Sequence, residues 1–136
     1  MDYLAPEMEL REVLGVSALG LAHIGDAVYE TMVRTWLVSH GGSNVHNLHK
    51  QTVELVKATA QAQFVDILLP HLTEEEEAIY RRGRNTHLHG IPKSASAAQY
   101  GKATGLEALF GALWLLGRKD RLNELFALIM EENHGI

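Results

Sequence analysis

The sequence predicts an all-α fold, on three observations. Apolar residues recur every three or four positions almost throughout. No segment alternates with period two for long enough to make a convincing strand. Residues that start and stop helices fall at the ends of the periodic stretches. A length of 136 residues suits about one domain, and repeats, low-complexity tracts and a linker are absent, so residues 1–136 read as a single domain.

The elements follow in order. A short helical segment is expected over residues 8–13. Ser17 can cap a long helix running to about Ser39, where Gly41-Gly42 stops it. A second long helix is predicted from about Asn44 to Leu69, with Val45, Leu48, Thr52, Leu55, Val56, Thr59 and Leu68 as its apolar stripe and Pro70 ending it. Thr73 then opens Thr-Glu-Glu-Glu-Glu, a capping signature whose acids face the positive end of the helix dipole; that helix should reach about Arg81. Gly83, Gly90 and Pro92 predict an irregular stretch. Short helical signals resume over 94–100, followed by helices over 104–116 and 121–132.

Composition removes several function classes. With 46% hydrophobic and 21% charged residues, the chain has too much apolar content for a disordered tail. No apolar run approaches the ~20 residues of a membrane span and no signal-peptide pattern opens the chain, so a soluble cytoplasmic protein is expected. Zero cysteines exclude disulfide frameworks, thiolate zinc sites and cysteine nucleophiles. The net charge of −5 argues against a nucleic-acid partner only as a total. Residues 1–77 hold four basic and twelve acidic residues, and 107–136 hold three and five. The window 78–106 holds five basic residues and no acid.

Two carboxylates stand out. Stepping by three and four from Leu19 gives Ala22, Asp26, Tyr29, Val33 and Trp36, so Asp26 interrupts an apolar stripe, with mid-helix Gly25 beside it. A carboxylate there is costly unless paired, hydrogen-bonded or bound to a cation, and the glycine suggests close approach by another backbone or a ligand. Glu107 repeats the situation among Ala103, Thr104, Phe110, Gly111 and Trp114, with Gly105 nearby. Two acids converging in a helical core suit a hard divalent cation; the competing reading pairs each with a buried arginine or a helix amino terminus.

The basic window centres on Tyr80-Arg81-Arg82-Gly83-Arg84-Asn85, with Lys93, Tyr100 and Lys102 following. Arginine forks match phosphate oxygens, and asparagine can reach a phosphate, a 2′-hydroxyl or a base edge. Alternatively the arginines pair with the acidic helix before them. Glu74–Glu77 is assigned no chemistry. His46/His49 and His87/His89 lack the spacing of a helical zinc pair and read as surface residues, and His23 lies off the Asp26 stripe.

Leu21-Ala22-His23-Ile24-Gly25-Asp26-Ala27-Val28-Tyr29-Glu30 resembles the signature helix of ribonuclease III domains, and Glu107-Ala108-Leu109-Phe110-Gly111-Ala112 resembles their second catalytic helix. Arg82-Gly83-Arg84-Asn85, then Pro92-Lys93 and Tyr100, is similar to the single-domain Mini-ribonuclease III group; the likeness spans roughly residues 17–128. This resemblance implies an all-helical homodimer without a double-stranded-RNA-binding domain. It implies Mg²⁺-dependent cleavage of double-stranded RNA, with Mn²⁺ able to substitute, leaving 5′-phosphate and 3′-hydroxyl ends. The implied role is maturation of the 23S ribosomal RNA precursor, with a ribosomal protein as a candidate helper. By position, Asp26 and Glu107 become catalytic and metal-coordinating, and Arg82, Arg84, Asn85 and Lys93 RNA-binding. Larger family members carry further acids where Leu19, Ala22 and Thr104 stand here. That thinner set motivates the alternative of a non-catalytic RNA-binding dimer; a helical protein-interaction module is a third reading.

Overall fold

The computed structural model describes residues 1–41, 44–86 and 96–134, and among them it contains seven α-helices and no strand. They are α1 (Leu10–Leu14), α2 (Ala18–Ser39), α3 (Val45–Val56), α4 (Ala58–Leu68), α5 (Glu74–Arg84), α6 (Ala97–Leu115) and α7 (Lys119–His134), with a 3₁₀ turn, Leu69–His71, after α4. None of the described helices is long and apolar enough to cross a membrane.

The expected start signals operate as chemistry. The Ser17 hydroxyl accepts from the Gly20 amide and caps α2, and Asn44 caps α3 by accepting from the amides of His46 and Asn47. Thr73 and Glu76 form a reciprocal capping box at α5. Glu76 does more: Arg121 grips its two carboxylate oxygens at 2.8 Å each and donates to the His71 carbonyl, tying α5 to α7. Burial alone would raise the Glu76 carboxyl, but the donors from Arg121 and Thr73 outweigh it and hold the group below the usual carboxylate range. The acidic run is therefore structural.

Three expectations are corrected. The predicted long helix over 44–69 is two helices, because Lys57 is extended (φ −66°, ψ 152°). No proline or glycine causes the break. Two side-chain donors take up the carbonyls it frees: the Tyr29 hydroxyl, from α2, donates to Leu55 (2.9 Å) and the Gln61 amide to Val56 (2.7 Å). Helix α5 runs to Arg84 rather than about Arg81, so Gly83 is helical, and the arginines lie on its last turn. The separate segments expected over 94–100 and 104–116 are one helix, α6, capped by Ser96. Gly42, Gly90, Pro92 and Ser94 lie outside the described residues.

Helix α6 is the axis of the fold. Between residues 103 and 113 every residue but Glu107 is buried, the pattern of a helix surrounded on all sides. Its most extensive neighbours are α2, α5 and α4. A main cluster packs Tyr29 edge-on to Phe110 and Phe126, ring centres 5.6 and 6.3 Å away, beside Leu113 and Ile129. A smaller one joins Val13, Leu21, Ile79 and Ala108.

Against α2 the backbones themselves touch. A methyl added at Gly25 would lie 1.6 Å from the Glu107 carbonyl oxygen, and one at Gly111 would lie 2.0 Å from that of Leu21. Neither oxygen belongs to a flexible side chain, so neither can yield. Against α5 a second pair, Gly83 and Gly105, abuts Thr104, Ala108 and Tyr80. By helix propensity Gly25→Ala should gain about 1 kcal/mol. The opposite is expected here: a loss of more than about 3 kcal/mol as α2 is pushed off α6. Urea denaturation read by circular dichroism measures it, and a stabilised variant would show that the helices are not in backbone contact.

Candidate active site

The α2–α6 crossing decides where the two singled-out acids go. Asp26 follows Gly25, and the Glu107 carbonyl is the atom against which Gly25 rests. The structure brings both side chains together although 81 positions separate them in sequence. Their burial differs from the expectation. Asp26 is exposed, because the buried face of α2 is centred on Leu21, Gly25, Val28 and Tyr29, and Asp26 sits at its margin. Leu19, the first residue of the anticipated stripe, is 45% exposed. Glu107 is half-buried, on the otherwise buried central stretch of α6.

The pair is electrostatically tense. Burial pushes the Glu107 carboxyl up to about 8, the neighbouring Asp26 charge pushes it the same way, and the Gln61 amide opposes both. Burial, then the Glu107 charge, holds the Tyr29 phenol above its usual range. No arginine or lysine forms an ion pair with Asp26 or Glu107 among the described residues, so the buried-arginine reading does not apply. A dication would relieve the repulsion between the two carboxylates.

Gln61 is the residue that sequence reasoning missed. It is 2% exposed, and its Nε2 donates to the Val56 carbonyl and, at 3.4 Å, to Glu107 Oε2. A signal was present: counted by three, four and seven, Gln61 shares a helix face with Phe64, Val65 and Leu68, all buried. It was obscured by reading residues 44–69 as one helix with a single stripe.

No group of three or more His, Asp or Glu side chains converges anywhere among the described residues. Ala22 and Thr104, at two positions where further acids were considered, are buried, and Thr104 Oγ1 donates to the Tyr100 carbonyl. Among the described residues the donor set is therefore two carboxylates and one amide. Such a set fits a hard dication that keeps several waters, as Mg²⁺ does, and does not fit a closed all-protein cage.

The basic window divides in two. Arg81 pairs with Glu77 and Lys102 with Asp66 (2.8 Å), the pairing the competing reading anticipated. Arg82 and Arg84 have no carboxylate partner among the described residues. Arg82 donates to the Val16 carbonyl at 3.0 Å and the Leu14 carbonyl at 3.4 Å, bracing the turn before α2. Arg84 donates to Asn85 Oδ1 and lies 5.9 Å from the Tyr80 ring centre. Arg84 and Asn85 are exposed. Lys93, like His87 and His89, lies outside the described residues.

The Glu107 shift has a measurable consequence. The folded chain holds this proton up to about pH 8, whereas an unperturbed glutamate releases it near 4.5. Folding thus binds the proton, and stability falls as pH rises through that interval. In EDTA, Glu107→Gln should melt progressively above the parent protein as pH is raised from 5 to 8.5. Parallel melting curves across that range would mean that Glu107 is neither buried nor faced by the Asp26 charge.

A family model described as the Ribonuclease III domain matches residues 19–118, a span holding both Asp26 and Glu107. The Mini-ribonuclease 3 of Symbiobacterium thermophilum is 47% identical over 118 residues, covering 87% of this chain and 91% of that one. That of Clostridium tetani is 38% identical over 144 residues, covering 98% and 95%. A crystal structure of a protein from Fusobacterium nucleatum superposes with a TM-score of 0.82 at 28% identity, over 90% of this chain and 98% of that one. With the acid pair at its helix crossing and relatives of this similarity across most of its length, the chain belongs to the ribonuclease III family and is an endoribonuclease.

Proposed function

We propose that residues 1–136 form a single nuclease domain that cleaves double-stranded RNA in a Mg²⁺-dependent reaction, with Mn²⁺ able to substitute. The observation that carries this reading is the meeting of Asp26 and Glu107 where α2 crosses α6, unneutralised by any arginine or lysine among the described residues. The Mini-ribonuclease 3 names of the relatives support an RNA substrate.

Asp26 and Glu107 would hold the dication, which would supply polarisation of a phosphoryl oxygen and a more acidic water as nucleophile. Glu107 must release its proton for this, so cation affinity rises with pH through the neutral range. Exposed Asp26 leaves the site open to a phosphate at the surface, while half-buried Glu107 fixes its depth. Arg82, Arg84, Asn85 and Lys93 engage phosphates and 2′-hydroxyls, which favours reading duplex shape over base sequence. A symmetric homodimer sets one site against each strand, so dimerisation and double-strand cleavage go together. The products carry 5′-phosphate and 3′-hydroxyl ends. The cellular role is cytoplasmic maturation of the 23S ribosomal RNA precursor, with a ribosomal protein shaping the substrate.

Two variants test separate parts. Asp26→Asn should lower cleavage of duplex RNA by at least about two orders of magnitude while leaving the fold and most RNA binding intact. Cleavage at the parent rate removes Asp26 from the chemistry. Arg84→Ala should weaken binding to unrelated duplexes about equally and shallow the salt dependence by about one phosphate contact. An unchanged slope in salt-titrated gel shifts would take Arg84 out of the interface.

A further inference from the structure

We infer that Gln61 is a third member of the cation site, orienting Glu107 through its amide nitrogen and accepting from the ion's hydration shell through its amide oxygen. This rests on the reading of Asp26 and Glu107 as the cation-binding pair. Both amide hydrogens are committed, one to the Val56 carbonyl at 2.7 Å and one to Glu107 Oε2 at 3.4 Å. The orientation of the amide is thereby fixed. Turning it over would set its oxygen against the Val56 carbonyl, which can only accept, and leave its nitrogen without that partner.

What remains is Gln61 Oε1. Among the described residues it is the one buried side-chain polar atom with no hydrogen-bond partner. Capping the break between α3 and α4 needs only a donor, so the cap accounts for Nε2 and not for a buried, unmatched acceptor. The rest of the buried face of α4 is apolar, with Ala60, Phe64, Val65 and Leu68 around it. Amide nitrogen and oxygen stand about 2.2 Å apart, which keeps Oε1 within roughly 5.6 Å of Glu107 Oε2. A hydrated dication held by Glu107 has waters at that reach, and a water is the donor that Oε1 lacks. Gln61 thus stands toward Glu107 as carboxylates and carbonyls stand behind ligands in other metal sites: it aims the ligand and anchors the shell.

The test measures Mn²⁺ affinity without RNA, from the electron-paramagnetic signal of the free ion, for the parent protein, Glu107→Gln, Gln61→Met and Gln61→Glu. Measurements are made below each variant's melting temperature. Gln61→Met keeps the volume and removes both polar atoms, and should weaken Mn²⁺ about 10- to 100-fold. Gln61→Glu loses both amide donors but sets a charged oxygen toward the ion, and should bind more tightly than the parent. If Gln61 is only a helix cap, both variants shift melting temperature and leave affinity unchanged. That result, or equal weakening in both, overturns the inference. If Gln61→Met fails to fold, Gln61→Glu decides alone, with tighter binding in support and parent-like or weaker binding against. Parent-like affinity in Glu107→Gln would instead sink the underlying acid pair.

Discussion

The backbone contact between α2 and α6 at Gly25 and Gly111 is the constraint on which the molecule depends. Helices separated by interleaved side chains stand about 8–10 Å apart and can shift or rotate at modest cost. Here each helix offers one bare position, and each bare position meets a carbonyl oxygen of the other. That fixes rotation as well as distance. Rotation is what the chemistry needs, because Asp26 is the residue after Gly25 and Glu107 supplies the oxygen that Gly25 meets. A slip of one turn would leave two ordinary surface acids and no site.

Holding the acids together has a cost that the surrounding fold carries. Glu107 sits on the most enclosed stretch of α6, and burial is the main reason its proton is held so firmly. Its polar support, Gln61, exists where it does because the chain breaks at Lys57. A continuous helix over 44–69 would use the Leu55 and Val56 carbonyls internally. The break frees them, Tyr29 and Gln61 take them, and Gln61 is thereby drawn against Glu107. Local helix continuity is exchanged for a polar wall beside the acid pair, an exchange in the direction expected of an active site.

What was legible in the sequence was local. Ser17, Thr73 and Pro70 act on residues within a turn of themselves, and the elements they bound are found. Gly25 was read as a point of close approach because an uncompensated mid-helix glycine has few other uses, and α6 is what approaches. The misplacements have one origin. Gly83, Gly101 and Gly105 look like interruptions when only propensity is counted, yet they are where α5 and α6 press together, so both helices run through them. The break at Lys57 leaves no local mark, since its donors come from Tyr29, 26 residues before the carbonyl it caps, and from the following helix. The exposure of Asp26 was misjudged for a related reason. A stripe can be drawn through Leu19 as well as through Leu21, and only the position of α6 says which one is covered.

Charge shows the same dependence on folding. The acid-free window 78–106 suggested a basic surface, but the fold returns acids to part of it from outside. Asp66 on α4 neutralises Lys102, and Glu77, one residue before the window, neutralises Arg81. Arg82 and Arg84 are left with carbonyl, amide and aromatic partners that do not cancel their charge. The end of α5 makes this a costlier surface than a loop would be in one respect and a cheaper one in another. A guanidinium on a helix has less freedom to chase a phosphate, but it has already lost part of the entropy that binding would otherwise consume, and the negative end of the helix dipole attracts it. Two pre-ordered arginines on the helix that packs beside α6 are therefore worth more to polyanion binding than the same number scattered on a mobile segment, in a chain whose net charge is negative.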